Sequence, residues 1–183
     1  MHSICGIQIF DNNKATLKET SKFYHDGSEM FMTDSMLMVI NFDSVKYEYI
    51  KYLGLSEPPK SNDALFLDES GNYYFIEFKN GFIGEAKVFE INRKILDSLL
   101  IFTDIIGKGI SFTRESMNYI LVYNKDKNQD APLNIDFKTH QIEKNAKRKL
   151  IRFGLGRFEK LFFKEVFTLS KEAFETEFVS KFI

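Results

Sequence analysis

The chain has 183 residues, 44% hydrophobic and 28% charged, with 25 basic and 26 acidic side chains giving a formal charge of -1. These values suit one ordinary domain spanning 1–183, exclude a disordered or fibrous chain, and leave no overall field directed at nucleic acid or membrane. The single cysteine, Cys5, excludes an internal disulfide and any multi-cysteine zinc site. No apolar run approaches the roughly 18 residues of a membrane span, so the expectation is a cytoplasmic protein with no membrane partner.

In chain order, Ile4 to Phe10 suits a strand and Asp11 to Lys14 a turn. Met36 to Phe42 is an apolar run broken only by Asn41, short enough for a buried strand or a buried helical turn. Asn41 or Asp43 can then cap a helix over about 44–53, where Val45, Tyr49 and Leu53 recur every four residues and Gly54 ends the pattern. Pro58-Pro59 forces an extended entry into the next segment.

Two strands follow, Asp63 to Leu67 and Tyr73 to Lys79, each rich in aliphatic and aromatic residues. Between them, a three-residue loop Glu69-Ser70-Gly71 with Gly71 left-handed pairs Asp68 with Asn72, which places Asp63 opposite Glu77. The spacing next predicts a helix over about 86–106: Val88, Ile91, Ile95, Leu99, Phe102 and Ile106 form one stripe that Gly107 and Gly109 close. Tyr119 to Tyr123 reads as a strand and 139–151 as a helix with a basic outer face, and a last helix follows Ser170. Strands and helices thus alternate around a hairpin, giving an α/β (mixed α+β) layered fold with a central mixed sheet flanked by helices.

Glu77 and Lys79 are two apart in a strand and share a face, and the register brings Asp63 beside Glu77. Directly opposed β-carbons stand about 4.5–5.5 Å apart, so the two carboxylates repel unless a cation lies between them. Magnesium or manganese would accept one oxygen from each and keep several waters. Lys79 could then orient an attacking water or stabilise charge developing on a phosphate. The plain alternative is a hairpin carrying solvated edge charges worth a few tenths of a kcal/mol.

This pattern resembles the PD-(D/E)XK nuclease superfamily over about residues 41–123: Asp63, a hydrophobic strand, a turn, Glu77-Phe78-Lys79 ending a second strand, a long helix and a further strand. Asn62 stands where the family pattern has a proline before the aspartate. The resemblance implies a restriction-endonuclease-like core with N- and C-terminal elaborations, a metal held by Asp63 and Glu77, and Lys79 as the catalytic lysine. Many members add a glutamate from the helix before the hairpin, for which Glu48 is the best-placed residue, and a basic or amide residue early in the long helix, where Arg93 and Lys94 stand.

The implied activity is Mg2+- or Mn2+-dependent hydrolysis of phosphodiesters, with DNA ahead of RNA as substrate, as in bacterial defence. A homodimer or protein partner would supply specificity. Between Lys144 and Lys160 seven basic residues face one acid, and Lys144, Lys147, Arg148, Lys149 and Arg152 are the candidates for a phosphate-tracking stripe. A second function class is a non-catalytic nuclease-like scaffold, an inhibitor or immunity protein or a complex subunit, with the Phe-rich last forty residues as its interface. His2, His25 and His140 are too scattered for a histidine metal cluster, and Cys5 reads as a small buried apolar residue.

Overall fold

The hairpin around Gly71 sets the geometry of everything that follows it. Gly71 is left-handed, with φ 84°, and the Asp68 N–H donates to the Asn72 carbonyl at 3.0 Å, closing the three-residue loop as the turn chemistry predicts. The register follows: in β5 (Ala64–Leu67) and β6 (Tyr73–Lys79), Ala64 pairs with Ile76 and Leu67 with Tyr73, antiparallel. The computed structural model describes residues 7–129 and 150–182.

Six strands form one mixed sheet. Besides the hairpin it holds β1 (Lys14–Thr16), β4 (Met38–Asn41), β7 (Met117–Tyr123) and β8 (Glu165–Ser170), in the spatial order β1-β4-β5-β6-β7-β8. The pairs from β1 to β6 are antiparallel, while β7 lies parallel to both β6 and β8. All seven residues of β7 are buried, as expected of a strand covered on both faces. A separate two-stranded sheet, β2 (Lys22–His25) with β3 (Ser28–Phe31), stands off the main one.

Alternation along β6 assigns the two faces. Tyr73 and Phe75 enter one apolar cluster with Ile91, Ile95, Leu99 and Phe102 of α4 (Glu85–Ile106) and Val45 of α3 (Phe42–Tyr52). Ile76 and Phe78 enter a second with Phe174 of α6 (Lys171–Glu177), Phe178 and Leu17 of α2 (Leu17–Thr20). The sheet is therefore the middle of three layers. Asn41 caps α3, its side chain accepting from the Ser44 N–H at 3.0 Å, and Gly107 ends α4 in the left-handed conformation. A short helix α5 (Ile110–Ser116) leads into β7.

Two expectations change, and a third lies almost wholly outside the described residues. The segment read as a strand from Ile4 is helical at α1 (Gln8–Asp11), because Phe10 turns inward to stack on Phe102 and the Phe10 and Asp11 N–H groups both donate to Ile7 O; residues 4–6 lie outside the described ones. The helix expected over 139–151 falls almost wholly outside the described residues, and 150 and 151, which are described, are not helical. The Phe-rich C-terminal region offers no aromatic face: Phe153, Phe158, Phe163, Phe174 and Phe178 are buried, and Phe162, Phe167 and Phe182 pack against the two clusters. Ring-on-ring packing fills the core here, which removes the aromatic argument for an interface. Among the described residues no helix is long and apolar enough to cross a membrane.

Candidate functional site

Asp63 stands just before β5, where the chain is tied to α4 from outside the hairpin. The Lys60 N–H donates to Asp97 at 2.8 Å and the Asn62 N–H to the buried Ser98 hydroxyl at 2.8 Å. The Phe78 N–H donates to Asp63 Oδ2 at 2.7 Å and fixes that carboxylate across the hairpin from β6. Glu77 lies on the α4 side of the sheet with no exposed side-chain surface, beside Lys79, whose ammonium is 2.6 Å from Glu77 Oε1.

Helix α4 completes the cluster. Glu90, Lys94 and Ser98 recur every four residues and share one helical face. The Lys94 Nζ donates to Asp63 Oδ1 at 3.0 Å and to Glu77 Oε1 at 2.7 Å, so one ammonium bridges the two carboxylates. Glu90 is 3.7 Å from Lys79 and 2.6 Å from Lys87. Three acids thus face three ammonium groups around the end of the hairpin.

Burial dominates the electrostatics. It pushes the Glu77 carboxyl up to about 7, helped by the Asp63 charge and opposed by Lys94 and Lys79. Burial alone would lower the Lys94 ammonium, but Asp63 and Glu77 outweigh it and hold it above its ordinary value. Glu90 is lowered, chiefly by its hydrogen bond from Lys87. Among the described residues, Glu77 Oε2 is buried without a hydrogen-bond partner, and so is the Tyr119 hydroxyl on neighbouring β7. Burial raises the Tyr119 phenol well above its usual range, with the Glu77 and Asp63 charges adding to it. An unpaired buried oxygen costs about 1–3 kcal/mol, so this corner of the core is held in an unfavourable state.

The cluster opens on a cavity of about 650 Å³ whose wall includes Asp63 and Lys79 together with Asn41, Asp43, Ser44 and Tyr47 from the start of α3. Asp63, Glu77 and Lys79 therefore come together as the register requires, and Lys94 joins them. Arg93 does not: it is largely exposed and reaches Asp97 at 3.7 Å. Glu48 is also elsewhere, accepting from Asn12 at 3.2 Å and Asn13 at 2.8 Å in a separate cavity with Tyr49 and Tyr52. Five residues carry it about 140° around the helix from Asp43, which is the α3 carboxylate that does line the main cavity. Asp43 accepts from Lys46 at 2.9 Å and from the Ser61 hydroxyl.

Of the basic stripe, Lys144, Lys147, Arg148 and Lys149 lie outside the described residues. Arg152 is half-buried, its guanidinium 5.9 Å from the Tyr123 ring centre.

Asp63 and Glu77 are the donor set this corner offers a hard divalent cation. Among the described residues no three His, Cys, Asp or Glu side chains converge as ligands. Two carboxylates are enough for a cation that keeps most of its waters, and the orphaned Glu77 Oε2 is a donor in want of a partner. The fit carries one condition: Lys94 fills the space between the two acids and must withdraw. Comparison with family models, curated proteins and solved structures finds no match to this chain.

Proposed function

We propose that this chain is a metal-dependent phosphodiester hydrolase built on a PD-(D/E)XK-like core over residues 41–123, with DNA ahead of RNA as substrate. The observation that carries the reading is the convergence of Asp63, Glu77 and Lys79 at one end of a hairpin, with Asp63 and Lys79 on the wall of a cavity and Glu77 buried behind them. The strand order supports it too: three antiparallel strands, the long helix α4, then β7 returning parallel beside β6.

Asp63 and Glu77 would hold Mg2+ or Mn2+, which supplies a Lewis acid for the phosphate and lowers the proton affinity of a bound water. The chain's own residues do the rest. Lys79 places a positive charge beside the reacting phosphate. The Phe78 N–H fixes the Asp63 carboxylate, and the dry wall of Tyr119 and α4 strengthens each of these interactions. In this reading Asp43 replaces Glu48 as the acid contributed by the preceding helix.

One observation favours the second reading, a non-catalytic scaffold binding a protein. Lys94 already neutralises both acids, which is how a purely structural ion cluster would look. Plasmid and single-stranded circular DNA incubated with the protein in Mg2+ or Mn2+ decide between the two. Cleavage that disappears in both Asp63→Ala and Lys79→Ala variants supports the hydrolase. No cleavage of either substrate, with no metal binding by calorimetry, leaves the scaffold.

A further inference from the structure

The cavity beside the charged cluster has a second wall that the chemistry does not use. It is made by β2, whose Lys22, Phe23, Tyr24 and His25 all line it, and it faces Tyr47 of α3 and Lys127 of the loop after β7. Tyr24 is 68% exposed and Tyr47 56% exposed, in a protein whose other rings mostly fill the core.

The hairpin β2–β3 is poorly explained as structure. It pairs with no strand of the main sheet, and its residues are mostly exposed. An isolated two-stranded hairpin is marginal in water. This one is fastened at its base by Ser21, whose hydroxyl accepts from the Met32 and Thr33 N–H groups at 3.2 Å. Its tip is a two-residue turn with Asp26 at φ 48° and Gly27 at φ 74°, the conformation that matches the strand twist. The chain thus maintains a well-formed projection that carries a ring to the mouth of the cavity.

The acids on that rim are already engaged. Asp43 is paired with Lys46 and Asp63 with Lys94. Glu19 forms a capping box with Thr16 that holds its carboxyl below the usual range, and of the three it is the one without an ion-pair partner among the described residues. Lys127 is exposed. What the cavity offers a ligand is therefore the Tyr24 ring, the side of the Tyr47 ring not covered by the Lys46 ammonium 4.3 Å from its centre, a solvated ammonium and, on its wall, Lys79. Successive bases on aromatic rings with a backbone along lysines is the chemistry of single-stranded nucleic acid binding. A concavity of about 650 Å³ suits a short stretch of single strand.

We infer that this cavity is a single-strand nucleic-acid site, in which Tyr24 and Tyr47 stack bases and Lys127 meets the backbone that leads to Lys79. The inference rests on the hydrolase reading for its substrate class, so the test measures binding without metal or cleavage. A fluorescein-labelled dT20 and a 20-base-pair duplex are titrated with protein in EDTA and followed by anisotropy. The single strand should bind at least tenfold tighter than the duplex. The Tyr24→Ala/Tyr47→Ala double variant, altered only at exposed rings, should lose about 100-fold for dT20 at roughly tenfold per ring. Lys127→Ala should lower the slope of log K against log salt by about 0.7.

Equal binding by wild type and the double variant overturns the inference, as does a preference for duplex. Failure of wild type to bind dT20 at 100 μM also overturns it. Metal-dependent cleavage of duplex alongside any of these results would leave the hydrolase standing. Binding of dT20 that depends on the two rings, without cleavage by any metal, would sink the hydrolase and keep the site.

Discussion

Replacing Glu77 by glutamine tests the electrostatics on which the site depends. The carboxyl is fully buried, and its pKa rises from about 4.5 in the unfolded chain to about 7 in the fold. At about 1.4 kcal/mol per unit, that difference is worth about 3 kcal/mol. The sign follows from linkage: the fold binds this proton more tightly than the unfolded chain does. The contribution is thus fully present below pH 4.5 and is lost as pH rises through about 7.

Glutamine has nearly the same shape and does not titrate. The difference in unfolding free energy, wild type minus Glu77→Gln, should therefore fall by about 3 kcal/mol between pH 4.5 and 8, with no further change above that. Urea unfolding of both proteins at half-unit pH steps measures it directly. A difference that stays constant across this range would refute the dominance of burial. A difference that grows with pH would show that the Lys79 and Lys94 ammonium groups, at 2.6 and 2.7 Å, win instead.

The remaining predictions concern the same corner. Tyr119→Phe removes a buried hydroxyl that lacks a partner among the described residues, and should raise stability by about 1 kcal/mol in urea with an unchanged m-value; a loss of stability would reveal a hydrogen bond to that oxygen. Lys94→Met vacates the space between Asp63 and Glu77. At pH 8 its affinity for Mn2+ by calorimetry should rise at least tenfold, with Lys94→Gln as a milder second variant, whereas an unchanged affinity in both would show that the ammonium and the cation do not compete.

The parts of the fold legible in the sequence are those where local chemistry and burial agree. Gly71 after Glu69-Ser70 sets the β5–β6 register, and register alone puts Asp63 beside Glu77. The α4 stripe from Val88 to Ile106 and its Gly107 stop are likewise local signals. The β2–β3 hairpin is not legible in the sequence although Asp26-Gly27 is a strong two-residue turn signal, because the flanking Lys22 to Phe31 shows no apolar alternation and buries little. Strand β8 is hidden for a different reason: Glu165–Ser170 has no turn residues directly before it, and its place is fixed by pairing with distant β7.

Within the site, the direction of a helical residue was harder to read than that of a strand residue. Strand period 2 settles Glu77 and Lys79, but the α3 stripe alone does not decide between Asp43 and Glu48. Lys94 was one of two adjacent basic residues, and only the packing of Ile91 and Ile95 against the sheet decides which of the two turns inward.

Strand β7 is joined to the rest by two long detours, 80–116 on one side and 124–164 on the other. Closing such excursions is entropically demanding, so the strand is seated by distant partners rather than by its sequence neighbours. Yet it is this strand that sets Tyr119 on the Glu77 side of the sheet. Glu77 is carried by β6, between β5 and β7, so its full burial needs that distant strand as well as the local hairpin. The dryness of that acid thus depends on long-range closure of the sheet, not on the turn beside it alone.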